Sequence, residues 1–298
     1  MNITSVCRQL GYTKQAFYKL KSNRQKEVCH AATAKSKVLQ IRRQMPRMGT
    51  RKLYYLLRKE FREEGLSIGR DKLFSILRKE GLLVQKKKRY TMTTDSRHWM
   101  HKYPDLVKGM ILDRPEQLWV SDITYIAVES GFVYLHLVTD AYSKQIMGYC
   151  VSPGMASTST TEALRMALAK RKYNEALIHH SDRGLQYCSS GYVNVLNKNG
   201  ISISMTQDGS PYDNAVAERV NGILKDEFGL DSVFSDIDEV SRHTRQAITL
   251  YNKNRPHLSC AMLTPHQMHD QQTIQVKTWR NKNPRKLTTS EDWLSSTT

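Results

Sequence analysis

The 298-residue chain is 39% hydrophobic, enough for a sizeable core in two or three domains and too much for a disordered protein. Its apolar stretches, such as 132–138, are far shorter than the roughly 20 residues of a membrane span, and the first residues lack a charged-then-apolar signal layout, so a cytoplasmic protein without membrane attachment is expected. The net charge of +18 is unevenly held: residues 1–115 carry 28 Lys and Arg against 9 Asp and Glu while the rest is nearly neutral, which points to nucleic acid bound through the first part.

Residues 3–21 predict a short helix ending at Leu10, a turn at Gly11 and Tyr12, and a second helix capped by Thr13. This helix-turn-helix outline, within residues 1–30, offers Lys14 and Lys19 to DNA, although two packed helices with an ordinary charged face fit equally well. A second helical module, 38–85, has Leu53, Leu57 and Phe61 at helical spacing, then Leu73, Ile76 and Leu77 up to a stop at Gly81. Its outward Arg51, Lys52, Arg70 and Lys72 make it a second candidate DNA-binding unit. Residues 86–115, opening with Lys86, Lys87, Lys88 and Arg89, read as a basic linker.

From residue 117 the pattern changes. Apolar and β-branched runs at 119–128, 132–139 and 145–151 predict three antiparallel strands, followed by a helix over 160–172, a strand over 176–180, a helix over 192–199, a strand over 201–204 and a helix from about 213. The unit 116–270 therefore has the order βββαβαβα, and 271–298 is a polar tail. Five cysteines, an odd number with no C-x-x-C pair, are expected to be reduced.

Three acids stand out in this unit. Asp122 interrupts an apolar strand, Asp182 directly follows one, and Glu218 lies in a helix behind the turn-rich GSPYDN. Each alone reads more readily as a surface acid or cap, but together they suit a hard divalent cation. Between Asp182 and Glu218 lie 35 residues.

With that spacing, the motifs WVSDITY (119–125), VTDAYSK (138–144), HSDRGLQY (180–187), GSPYDNAVAE (209–218), LKDE (224–227) and YNKNRPH (251–257) closely resemble the B-frame product of the insertion-sequence-three family of transposases, within the retroviral-integrase superfamily. The resemblance implies an α/β, ribonuclease-H-like core with a mixed five-stranded sheet, preceded by helix-turn-helix modules. It also implies a DNA transposase with Asp122, Asp182 and Glu218 as catalytic metal ligands for two Mg2+ or Mn2+ ions, and Lys225 as a phosphate contact. Two cations about 4 Å apart serve in-line phosphoryl transfer, in which element ends are nicked and their 3′-OH groups joined to DNA. The implied partners are terminal inverted repeats, target DNA, further copies of the chain and the A-frame protein, in a bacterial, nucleoid-associated setting. No phosphate loop is present, so no nucleotide cofactor is expected.

Asp140 and Asp213 read as turn and cap residues, and His179 and His180 as packing or substrate-contact residues. Two rival functions remain. A tyrosine recombinase would use Tyr251 with Arg255 and His257, and a non-catalytic DNA-binding regulator or assembly subunit would need no triad.

Overall fold

The computed structural model describes residues 3–85, 100–207 and 215–271; the basic run 86–89, the acid at 213 and the tail beyond 271 lie outside them. Helix α1 (Ile3–Gln9) ends in a turn where Gly11 has φ +71°. Helix α2 (Lys14–Gln44) opens at Thr13, whose side chain accepts the Ala16 N–H at 3.1 Å, the predicted cap. No Gly or Pro occurs from Thr13 to Met45, so α2 runs unbroken across residues 30–38, where a break between modules was expected. Its second half packs Ala34 and Val38 against Leu53, Leu57 and Phe61 of α3 (Thr50–Glu63) and Leu73 and Leu77 of α4 (Arg70–Lys79). These are the stripes the helical spacing predicts.

The five strands are β1 (Leu118–Val128), β2 (Gly131–Asp140), β3 (Ile146–Ser152), β4 (Ile178–Ser181) and β5 (Ser202–Met205). They form one mixed sheet in the order β3-β2-β1-β4-β5, with β1–β2 and β2–β3 antiparallel and β1–β4 and β4–β5 parallel. Helix α5 (Ser157–Ala169), the short α6 (Leu185–Cys188) and α7 (Ser190–Lys198) cover one face, where Trp119 and Met147 meet Ala163, Tyr187 and Leu196. Gly148 on β3 lets α5 come close, since a Cβ there would collide with the backbone of Ala163 and Ala167. On the other face lie α8 (Ala215–Phe228) and α9 (Ile237–Asn254). One apolar cluster runs from α2–α4 through Ile126, Val133 and Leu135 to Val220, Phe228 and Tyr251. The helical module and the sheet thus share a core.

The strand order matches the predicted βββαβαβα, with α6, α9 and α10 (Pro265–His269) added. Helix α6 is four residues long, too short to show a period, and α9 buries Val240, Thr244, Ala247, Ile248 and Tyr251, with Ile237 and Leu250 partly covered. The end of the unit is fixed by a cluster around the buried Glu116, Asp140, Ser143 and His269. Asp140 accepts the Glu116 and Ser143 N–H groups at 2.7 Å each and the Ser143 hydroxyl at 2.6 Å, while Glu116 accepts the Lys172 and Tyr173 N–H groups at 2.9 Å. His269 of α10 sits 3.2 Å from Glu116 and 3.8 Å from Asp140. Asp140 therefore has the structural role read for it. All five cysteines are free thiols, and among the described residues no helix is long and apolar enough to cross a membrane.

Candidate active site

Strand parity and register bring the two aspartates together. On β1, Trp119, Ser121 and Ile123 turn toward the α5–α7 side, so Val120 and Asp122 turn toward α8. The parallel pairing of Val120 with His180, continued by two residues, sets Asp122 level with Asp182 just past the end of β4. Neighbouring strands lie about 4.8 Å apart, so the two carboxylates are held side by side. The position is also where the sheet passes from antiparallel to parallel pairing, at the carboxyl end of β4, the usual place for a ligand in a sheet of this kind.

Asp122 is half-buried. Its Oδ2 accepts from Asn221 Nδ2 at 2.7 Å and its Oδ1 from the Ile123 N–H at 2.9 Å. Burial, then the neighbouring Asp182, push its carboxyl up to about 7, against the pull of these two hydrogen bonds; Glu218 adds a smaller push. Asp182 accepts the Gly184 N–H at 3.0 Å, and a Cβ at Gly184 would press on Gln186 Oε1 at 2.9 Å and Asp182 Oδ1 at 3.1 Å, so a side chain there would disturb the carboxylate. The cavity between them is about 180 Å³ and is lined by Thr124, Tyr125, Tyr134, Met155 and Tyr187 besides the two acids.

Glu218 stands in the first turn of α8 and is exposed. It is close enough to act on Asp122, yet among the described residues no three His, Cys, Asp or Glu side chains are gathered to hold a metal ion. Two further observations suit a cation. Asn221 Oδ1 and the Tyr187 hydroxyl are buried without a hydrogen-bond partner beside the aspartates, leaving oxygen donors that bonds within the protein do not use. Asn221 was missed in the sequence, although its place three residues after Glu218 and four before Lys225 puts it on the same helix face. Lys225 is half-buried, with Nζ 4.2 Å from the centroid of the Tyr125 ring; burial lowers its affinity for a proton and the charge of Asp122 opposes this.

Among the other basic residues, Arg51, Lys14 and Lys19 are exposed, Arg70 pairs with Asp71 at 2.8 Å, and Lys72 reaches Glu27 at 3.2 Å. Lys52 is different: it points inward and bonds Glu227 of α8 at 2.8 Å. Tyr251 is fully buried and donates its hydroxyl to the Lys144 carbonyl at 2.9 Å, while Arg255 is committed to Glu227 by two bonds of 2.9 and 2.7 Å. That geometry gives the recombinase reading no accessible nucleophile. His179 Nε2 lies 2.7 Å from Ser121 Oγ and 2.8 Å from the Tyr192 hydroxyl, and burial lowers its pKa to about 3, in keeping with a packing role.

The chain matches the family model described as integrase core domain over residues 113–211 and, in a second model of the same description, over 199–265. It is 35% identical to the insertion element IS600 uncharacterized 31 kDa protein of Shigella sonnei, over 73% of this chain and 79% of that protein. It is 34% identical to the transposase for insertion sequence element IS629 of the same species, over 70% of this chain and 68% of that protein. To the transposase InsF for insertion sequence IS3A of Escherichia coli K12 the identity is 31%, over 71% and 74%. With an integrase-type core of ribonuclease-H-like architecture behind a helical N-terminal region, the chain belongs to the insertion-sequence-three family of transposases.

Proposed function

We propose that this chain nicks the ends of an insertion sequence and joins the freed 3′-OH groups to DNA, with Asp122, Asp182 and Glu218 as the catalytic carboxylates. The reading rests on one observation above the rest: two aspartates from neighbouring parallel strands stand level at the switch point of the sheet, one of them raised to about 7. Each step conserves bonds. In nicking, a P–O bond forms from water and the bond to the 3′ oxygen breaks, releasing a 3′-OH. In joining, that 3′ oxygen bonds a phosphorus of the recipient strand and another 3′ oxygen leaves.

Asp122, Asp182 and Glu218 would hold two divalent cations, which would supply activation of the attacking oxygen and stabilisation of the leaving one. The chain's own part is to hold the carboxylates in register on β1 and β4 and to bring Glu218 in on α8. Asn221 orients Asp122, and Lys225, fixed over Tyr125, holds a phosphate near the scissile bond. In the same reading, residues 1–30, 38–85 and 86–115 engage element DNA, 116–270 performs the chemistry, and the working form is a multimer on DNA that also meets the A-frame protein.

Incubation of the full chain with labelled element ends and Mg2+ tests this directly. The expected products are 3′ nicks and joined strands, both lost on chelation. DNA binding without either product, at any divalent metal concentration, would instead favour the regulator reading.

A further inference from the structure

Across α8 from the carboxylates lies a second, larger cavity of about 600 Å³, walled by Lys52 of α3, Lys144 of the β2–β3 turn, Val216, Arg219, Val220 and Ile223 of α8, and Arg255, His257 and Ser259 of the segment after α9. Helical phase separates the two sites: residues 216, 219, 220 and 223 face this cavity, while 218, 221 and 225 face the aspartates. Four cationic side chains line its wall. Glu227 lies behind them and is already bonded to Lys52 and Arg255, while Lys144 donates to the Ala141 carbonyl and feels the charge of the buried, already saturated Asp140. His257 is buried, and its Nε2 accepts from Arg255 at 2.7 Å, so it adds no counter-charge. Gathering like charges in a half-buried space is unfavourable, as the depressed proton affinity of Lys52, about 8 from burial and then from Arg255, reflects. An anion entering past the exposed Arg219 would relieve it.

We propose that this cavity is a phosphate-binding site that takes one backbone phosphodiester of bound DNA and, because Lys52 comes from the helical module and the other cations from the core, ties the two parts together on the DNA. The site rests on the reading of the chain as a DNA-processing enzyme, which supplies the DNA as the source of the phosphate. The bound phosphate is not the scissile one, since a helix with its side chains is about 10 Å thick and α8 stands between the two sites.

The test measures affinity of the full chain for a linear duplex across a range of salt, with Arg219→Gln, Lys144→Gln and the double variant, each first shown to unfold at the temperature of the parent. Each single variant is expected to weaken binding about tenfold and to lower the slope of log affinity against log salt by about 1, the value of one phosphate contact. Because both cations meet the same phosphate, the double variant should also lose about 1 rather than 2. Slopes that fall by about 2 in the double variant, or that do not change at all, overturn the site. If Lys144→Gln fails to fold, Ser259→Asp puts an acid on the cavity wall and should weaken binding to the same extent. Inorganic pyrophosphate stabilising the parent but not Arg219→Gln, with DNA binding unaffected by the variants, would assign the cavity to a free phosphate and overturn the DNA assignment. A parent chain that binds no duplex at all would instead refute the proposed function.

Discussion

Asp122 and Asp140 lie on adjacent antiparallel strands of one sheet, and their surroundings could hardly differ more. Asp140 is fully buried and saturated: two backbone N–H groups and a hydroxyl donate to it, and His269 stands beside it. Asp122 is partly buried and has one backbone donor, one amide and another carboxylate for company. The histidine shows the same contrast in sign. Burial alone would lower His269, but hydrogen bonds and charge from Asp140 and Glu116 outweigh it and raise it to about 9, whereas at Asp122 burial and then the like charge of Asp182 outweigh its two hydrogen bonds and raise the acid to about 7. An acid satisfied from within stabilises the fold, and an acid left wanting a cation marks a site.

Substitutions at the two clusters should therefore fail in different ways. Asp122→Asn, Asp182→Asn or Glu218→Gln is expected to cut nicking and joining by more than about a thousandfold while duplex binding stays within a few-fold of the parent. Magnesium-dependent strand joining retained by any one of them would remove that residue from the proposed site. Asp140→Asn should do the reverse. Leaving Glu116 and His269 without their shared partner is expected to lower stability by about 3–5 kcal/mol in denaturant unfolding, with the remaining folded protein joining strands at the parent rate.

A pH series sharpens the same contrast. His269 has a folded pKa of about 9 against an ordinary value of 6.5, so its stabilisation is fully present below pH 6.5 and is lost as pH rises through 9. Thermal unfolding should show a loss of about 3 kcal/mol across that window in the parent, and His269→Gln, less stable at pH 6, should be flat there. A parent whose stability is level from pH 6.5 to 9 would mean that His269 is not held protonated by the two acids. The smallest effect is expected at Lys225, where Lys225→Ala should weaken engagement of the element end about tenfold and lower joining in proportion, with DNA affinity measured on ends and on unrelated duplex to separate the two. Equal end binding by parent and variant at all salt concentrations would return Lys225 to a packing role against Tyr125.

Much of the fold was legible because its signals are local. The strand pattern from residue 117 to 151, the stripes of α3 and α4 and the Thr13 cap each depend on residues a few positions apart, and period and capping chemistry report them directly. The two aspartates were legible for a related reason, as acids placed where a strand tolerates few of them, together with motifs shared with a known family.

Other features had no local signature. Lys52 reads as one more outward cation of a basic helix, and only the docking of α3 on α8 turns it inward to Glu227, 175 residues away in sequence. Asp140 reads in the sequence as a turn acid, but only closure by α10 and the turn at Glu116 supplies the partners that saturate it. By itself the sequence determined the periodic elements, the charge imbalance and the family motifs, all of which are properties of short stretches of chain. Tertiary structure alone decided which distant charges are paired, because that depends on which remote residues are brought within hydrogen-bond range, and it set the level aspartates apart from the saturated Asp140 and gathered four cations around one cavity.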